Sequence, residues 1–220
     1  MNKRVNIIEK LHKSTFRDYI GRMNDEKIVA MKVARKFDKD FWDGNRKFGY
    51  GGYKYDGRWK SVAQKLIDLY GLKSDSKVLD VGCGKGFLLY EIKILIPKIE
   101  IYGFDISKYA VDNAKEEIKD KIFVYNAEKS YPYGDKYFDL VISINTLHNL
   151  RIYDLKHALT EIERVGNNKL IIVESYNNEE ELFNLQCWAL TAESFFSTDE
   201  WIWIYNQFGY TGDYDFIYFD

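Results

Sequence analysis

A chain of 220 residues with 46% apolar and 17% aromatic content is long enough to bury a core and too apolar for a disordered tail. Its 32 basic and 34 acidic residues leave a net charge of −2, which gives no general attraction to nucleic acid or to an anionic membrane. No apolar run approaches the ~20 residues that span a bilayer, and two lone cysteines, Cys83 and Cys187, make no disulfide framework, so a cytoplasmic protein is expected.

The basic stretch Met1–Lys13 lacks the apolar centre of a signal peptide. Residues 1–76 read as an N-terminal helical region. Glu26–Phe37 has helical character, and Ser61–Tyr70 does too, with Gly71 as its C-terminal cap. Between them Asp38–Trp59 carries Gly44, Gly49, Gly51, Gly52 and Gly57, too many for a regular helix. This glycine-rich stretch is crowded with Arg46, Tyr50, Tyr53, Arg58 and Trp59. Glycines would let it close as a lid. Its guanidinium and aromatic groups suit a polar or anionic small molecule through bidentate hydrogen bonds and stacking. Basic and aromatic residues together also suit single-stranded nucleic acid, but Asp38, Asp40, Asp43 and Asp56 dilute the charge, so that partner is not expected.

From Lys77 to Ser175 apolar strands alternate with amphipathic helices. The strands are predicted over Lys77–Val81, Glu100–Asp105, Ile122–Asn126, Phe138–Ile144 and Lys169–Ser175. The helices are predicted over Gly86–Leu95, Lys108–Ile118 and Asp154–Val165. This is an α/β pattern, a mostly parallel sheet covered by helices on both faces, whose ligands bind beyond the C-terminal strand ends. After Ser175 come helices over Glu179–Ala189 and Thr198–Phe208, the latter with Thr198 as N-cap, and a strand over Tyr214–Phe219. The whole chain, 1–220, reads as one domain.

Residues Val78–Gly86 read V-L-D-V-G-C-G-K-G. Strand, glycine turn and helix N-terminus together let a nucleotide-like ligand lie against bare backbone. Asp105 follows Gly82 by 23 residues and ends the next strand, where an acid can accept from both hydroxyls of a ribose. The spacing is G-x-G-x-G, however, and Asp80 precedes the first glycine by two. A carboxylate there would repel a pyrophosphate and attract a cation. S-adenosylmethionine combines a ribose and an adenine with a cationic amino group and a sulfonium.

V-L-D-V-G-C-G-K-G, followed by Y-G-F-D-I-S (Tyr102–Ser107) and F-D-L-V-I-S-I-N-T-L-H-N-L (Phe138–Leu150), resembles the motifs of class I S-adenosylmethionine-dependent methyltransferases. The resemblance implies a Rossmann-like sheet of six or seven strands, preceded by an N-terminal lid. It implies cofactor contacts from Asp80, Gly82, Cys83, Gly84, Gly86, Asp105, Ile106, Asn126, Ala127 and Asn145, with Asp80 toward the amino group and Ile106 against the adenine. Asn126 stands where many members carry aspartate. Methyl transfer needs alignment and sometimes a base. The base candidate is His148, with Asn145 beside it, at the end of the fourth strand. No His, Cys and acid cluster has metal-ligand spacing, so no metal is expected. The family sheet usually ends in two strands, the last antiparallel. The 11 residues after Gly209 suffice for one, which leaves a six-stranded sheet or an edge completed by a homodimer partner. The expected reaction is methylation of nitrogen or oxygen on a small polar metabolite, a sugar or sugar-nucleotide first. An RNA or protein methyltransferase is the alternative, and a non-catalytic cofactor-binding module is the alternative of another class.

Overall fold

The computed structural model describes residues 3–8, 12 and 16–220, so the basic stretch Met1–Lys13 lies partly outside the described residues. Six strands form one sheet: β1 (Lys77–Val81), β2 (Glu100–Asp105), β3 (Ile122–Val124), β4 (Phe138–Ile144), β5 (Gly166–Glu174) and β6 (Asp213–Ile217). Their order is β3-β2-β1-β4-β5-β6, and every neighbouring pair is parallel. The near-continuous apolar runs of β1, β4 and β5 are what a sheet buried on both faces requires. Val78, Leu140, Ile142, Leu170 and Ile172 pack on one side with α4 (Lys60–Tyr70), α5 (Phe87–Leu95) and α8 (Glu179–Trp188). Leu79, Val81, Val141, Ile171 and Val173 pack on the other with α7 (Ile152–Val165) and α9 (Thr198–Gln207). The alternation of side chains along each strand is therefore read out as two cores.

The all-parallel sheet departs from the antiparallel last strand of the resembled family. β6 lies directly beside β5, and its outer edge is met by the chain's own N-terminal residues. Arg4 forms a parallel bridge with Tyr214, the Val5 amide donates to Tyr214 O at 2.9 Å, and the Tyr214 amide donates to Lys3 O at 3.1 Å. Asp215 is buried because this segment pairs with it: Arg4 Nε lies 3.2 Å away and the Ile7 amide 3.4 Å. The edge that suggested a dimer partner is thus covered in cis along these residues.

Local departures have local causes. The helix expected over Lys108–Ile118 breaks into α6 (Lys108–Asp112) and a 3₁₀ turn at Glu116–Lys121. Asn113 ends α6, its side-chain amide donating to Tyr109 O at 2.8 Å, a local bond that competes with helix continuation. Ser197 rather than Thr198 caps α9, because Ser197 and Glu200 form a reciprocal capping box. Gly71 is the expected left-handed cap of α4, with φ 61°.

The N-terminal helices α1 (Tyr19–Asn24), α2 (Lys27–Ala34) and α3 (Lys39–Asp43) precede a 3₁₀ turn at Arg46–Phe48. Residues 37–59 then cross the C-terminal ends of β1 and β2. Two residues flanking α2, Glu26 (φ 47°) and Phe37 (φ 50°), adopt left-handed backbone and shorten the helix expected over Glu26–Phe37.

Candidate active site

A cavity of about 830 Å³ opens beyond the C-terminal ends of β1, β2, β4 and β5, within the usual ~300–1,000 Å³ of small-molecule sites. Its floor is the glycine turn. The amides of Gly82 and Cys83 both donate to Phe104 O, at 2.8 and 3.0 Å, which folds the turn back onto β2. Gly82 (φ 80°) and Gly84 (φ 55°) hold left-handed backbone, and a Cβ on them would lie 2.2 Å from Thr146 Oγ1 and 2.8 Å from Trp42 Cη2. The Gly84 clash is informative: the indole of Trp42 lies directly on the turn.

Asp105 is 8% exposed. Its Oδ2 accepts from the Gly84 amide and its Oδ1 from the Ser107 amide, both at 2.8 Å. Burial pushes its carboxyl up, opposed by these two N–H groups. Beside it Ile106 presents 54% of its surface and faces the cavity, an apolar side chain left open for a flat ring. Asp80 is 5% exposed, and its carboxyl makes no hydrogen bond among the described residues. Burial first, and then the charge of Asp105, lift it to about 8. Asn145 adopts φ 59°, its side chain bonds the Tyr50 hydroxyl, and its buried Oδ1 has no donor, as is also true of Asn149 Oδ1. Asp80, whose carboxyl ionises readily once a cation sits beside it, and the two carbonyl oxygens without donors among the described residues make a wall rich in acceptors. That wall fits the cationic end of S-adenosylmethionine and would oppose a pyrophosphate.

Three of the expected residues have local partners of their own. The Asn126 side chain closes its own turn, Nδ2 donating to Glu128 Oε1 at 2.8 Å and Oδ1 accepting from the Glu128 amide at 3.2 Å, while both Asn126 and Ala127 line the cavity. His148 is 3% exposed, with Nδ1 accepting from the Glu174 amide at 3.4 Å and Nε2 lying 3.5 Å from Glu174 Oε2. Burial lowers its pKa, so the ring is neutral at pH 7 and offers the cavity no free lone pair. Glu174, at the end of β5, also lines the cavity, and sequence reading passed over it. Arg58 is closed by Asp56, which accepts from Nε at 2.9 and 2.8 Å and from Nη2 at 2.5 Å.

Of the other residues named in the glycine-rich stretch, Arg46 and Tyr50 line the cavity. Tyr53 and Trp59 bond each other, Trp59 Nε1 donating to Tyr53 Oη at 2.9 Å, and Tyr53 stacks on Phe87 at 5.2 Å. Burial raises the Tyr50 phenol to about 12, so it is a hydrogen-bonding group rather than a base. Cys83 contributes backbone only, since burial drives its thiol far from ionisation. Gly86 (φ 69°) turns the chain into α5.

The segment over the turn is tied down by residues no motif announced. Lys85, between Gly84 and Gly86, donates to Asp43 Oδ2 at 2.6 Å and to Tyr53 O at 2.9 Å. Asp43 also accepts from the Tyr109 hydroxyl at 2.9 Å and the Tyr53 amide at 3.0 Å, and these bonds hold its pKa low despite the opposing desolvation. Trp42 Nε1 donates to Ser107 Oγ at 2.8 Å, and Ser107 Oγ donates to Phe37 O. The only sequence signal was a lysine inside the glycine turn and an aspartate beside Trp42. Among the described residues no group of three or more His, Cys, Asp or Glu is placed to hold a metal ion. No helix of these residues is long and apolar enough to cross a membrane.

The order of the first five strands, the glycine turn after β1 and the acid after β2 define a Rossmann-like nucleotide-binding sheet. Residues 72–209 match the methyltransferase domain family, and the chain belongs to it as a class I S-adenosylmethionine-dependent methyltransferase. Among solved structures it is similar to the YcgJ protein of Bacillus subtilis, at TM-score 0.54 and 20% identity, covering 66% of each chain. It is also similar to a geranyl diphosphate C-methyltransferase of Streptomyces coelicolor, at TM-score 0.53 and 14% identity, covering 71% of this chain and 66% of that one. Relatives in sequence include the mouse mitochondrial arginine-hydroxylase NDUFAF5, 28% identical over 64% of this chain and 41% of its own length. Another is a Thermotoga maritima demethylmenaquinone methyltransferase, 28% identical over 65% of this chain and 58% of its own. A third is the Campylobacter jejuni ubiquinone/menaquinone biosynthesis C-methyltransferase UbiE, 27% identical over 74% and 69%. The chain thus spans well under two thirds of the first two of these relatives.

Proposed function

We propose that this methyltransferase acts on a nitrogen or oxygen atom of a small polar metabolite, with sugars and sugar-nucleotides as the first class to test. The observation that supports the reading is a set of polar and charged groups, Arg22, Arg46, Tyr50, Asn149 and Glu174, set into a cavity lining that also holds apolar side chains such as Leu190, Ile217 and Phe219. An apolar acceptor would strip these groups of water with nothing in return.

Asp80, the Gly82–Gly84 backbone, Asp105, Ile106 and Ala127 are the residues that would hold S-adenosylmethionine. When bound, it supplies the methyl group and a thioether leaving group. The chain's part is alignment and proton removal. Glu174 takes the proton from the acceptor's N–H or O–H as the nucleophile attacks. His148, with Nε2–H toward Glu174 and Nδ1 satisfied by backbone, positions that carboxylate. Tyr50, bonded to Asn145, closes the wall between the two ends of the cavity.

Incubating the enzyme with labelled cofactor and a metabolite extract should give a methylated small polar product. Glu174→Gln should then lower kcat by about 100-fold, the lower range for loss of a general base, with cofactor affinity unchanged. A second reading, methylation of a ring carbon, is supported by the names of the menaquinone-pathway relatives. A carbon-methylated product, or label transferred only to protein or RNA, would overturn the nitrogen or oxygen assignment.

A further inference from the structure

Trp188, the last residue of α8, carries guanidinium groups on several sides. Those of Arg22, Arg46 and Arg17 lie 4.3, 5.0 and 5.6 Å from its ring centroid. All four residues line the cavity. The three arginines come from different parts of the N-terminal region, before α1, within α1 and after α3, and precede residue 72, where the family match begins. Their convergence is a product of folding rather than a run of charge.

Hydrogen bonding fixes the orientation of two of them. Arg22 donates from Nε to Trp188 O at 2.9 Å and from Nη1 to Arg46 O at 3.0 Å. Arg46 donates from Nη1 to Gly49 O and Tyr50 O, both at 3.0 Å. Every one of these partners is a neutral carbonyl. Among the described residues neither arginine has a carboxylate within ion-pair distance, and Arg22 Nη2, Arg46 Nε and Arg46 Nη2 make no hydrogen bond. Stacking on one indole holds the cations together, but their like charge opposes it. Burial, with Arg46 adding to it, lowers Arg22 to about 10. The charge of Glu174 acts on Arg22 and opposes that lowering.

Forked N–H donors facing a cavity without an anion are a recognition surface for planar or tetrahedral oxyanions. We infer that Arg22 and Arg46, set on Trp188 with Arg17, form an anion-binding subsite that seats a phosphate or carboxylate group of the methyl acceptor. Building on the proposed small polar acceptor, this makes the substrate class acidic and puts its charged end opposite the acidic end that takes the cationic cofactor. Tyr50, which bonds Asn145 and feels the charge of Arg46, stands between the two. The same oxyanion chemistry is available from the methionine carboxylate of the cofactor, so the test separates the two sources.

The probe is inorganic phosphate, titrated at constant ionic strength against the protein saturated with S-adenosylhomocysteine and followed by calorimetry. Phosphate should bind the wild type, and Arg22→Gln and Arg46→Gln should each weaken it by about ten-fold, the effect of ~1.4 kcal/mol. Arg46→Lys should fall between. Affinity for S-adenosylhomocysteine, measured without phosphate, should move less than about two-fold. No phosphate binding, or binding indifferent to both substitutions, would overturn the subsite. A parallel loss of S-adenosylhomocysteine affinity would hand the arginines to the cofactor carboxylate and overturn it as well. Because Arg22 also holds the end of α8, its variant is first checked by thermal melting, and if it does not fold, Arg46→Gln decides alone. The acceptor screen is independent: a neutral acceptor whose KM ignores both substitutions refutes the subsite and leaves methyl transfer standing. A failed screen with intact phosphate binding refutes the polar acceptor instead.

Discussion

The two ends of the cavity differ in charge, in construction and in what locates them. The cofactor end is acidic: Asp80 and Asp105 sit at the tips of two adjacent parallel strands, and one glycine turn supplies the backbone between them. The end proposed for the acceptor is basic, and its arginines come from segments scattered over residues 17–46 and meet on Trp188, far along the chain. One end is a short motif whose residues are neighbours in the sheet. The other exists only because α1 and the 3₁₀ turn at Arg46–Phe48 pack near the end of α8. A conserved type of donor chemistry needs a fixed frame, whereas an acceptor site can be assembled from whatever elements surround the strand ends.

Substitutions should separate the two ends. The largest effect on binding is expected from Asp105→Ala, which removes the carboxylate proposed to take the ribose and leaves the Gly84 and Ser107 amides without their partner. Affinity for S-adenosylhomocysteine should fall on the order of 100-fold by calorimetry, from loss of charge-assisted bonds and orphaned donors. Phosphate binding should persist, and joint loss of both would show that the ends are not independent.

Next in size is Lys85→Met. It removes a charge-assisted bond from the partly exposed Asp43, which keeps its Tyr109 and Tyr53 donors, so the cost is about 2 kcal/mol. The segment over residues 37–59 should become sensitive to limited proteolysis in the free protein and regain protection with S-adenosylhomocysteine. Unchanged cleavage would mean that aromatic packing of Trp42 and Tyr53 suffices to hold the segment.

A last prediction concerns Asp80 and is read as a pH dependence. A carboxyl raised from its ordinary value to about 8 is mostly protonated at pH 7. Its folded pKa lies above the unfolded one, so it contributes stability fully below the unfolded value, and that contribution declines as pH rises toward 8. Asp80→Asn should therefore raise the melting temperature of the cofactor-free protein at pH 8 more than at pH 5, by ~2–4 °C for each kcal/mol recovered. A cationic ligand favours the carboxylate, so cofactor binding between these pH values should release protons in the wild type and not in the variant. Calorimetry in buffers of different ionisation enthalpy reads this directly, and proton release that survives the substitution would place the coupling elsewhere.

The boundaries of β1, β2 and β4 were legible residue by residue, because apolar runs between turn signals fix strands buried on both faces. The glycine turn and the acids Asp80 and Asp105 can be picked out in the sequence for the same reason, short spacing along one stretch of chain. Local partners are what the spacing does not show: the Asn126 side chain closes its own turn onto Glu128, and both ring nitrogens of His148 face Glu174.

By itself, then, the sequence determined the parallel α/β core, the cofactor class and the acidic end of the cavity, all consequences of local periodicity and spacing. Tertiary structure alone decided the rest. It placed β6 beside β5 in parallel and set Lys3–Val5 against its edge. It joined Lys85 to Asp43 across 42 positions and gathered Arg17, Arg22 and Arg46 on Trp188. The physical reason is common to these: each depends on groups distant in sequence coming within a few ångströms. No periodicity encodes that distance; it follows from how the helices pack on the finished sheet.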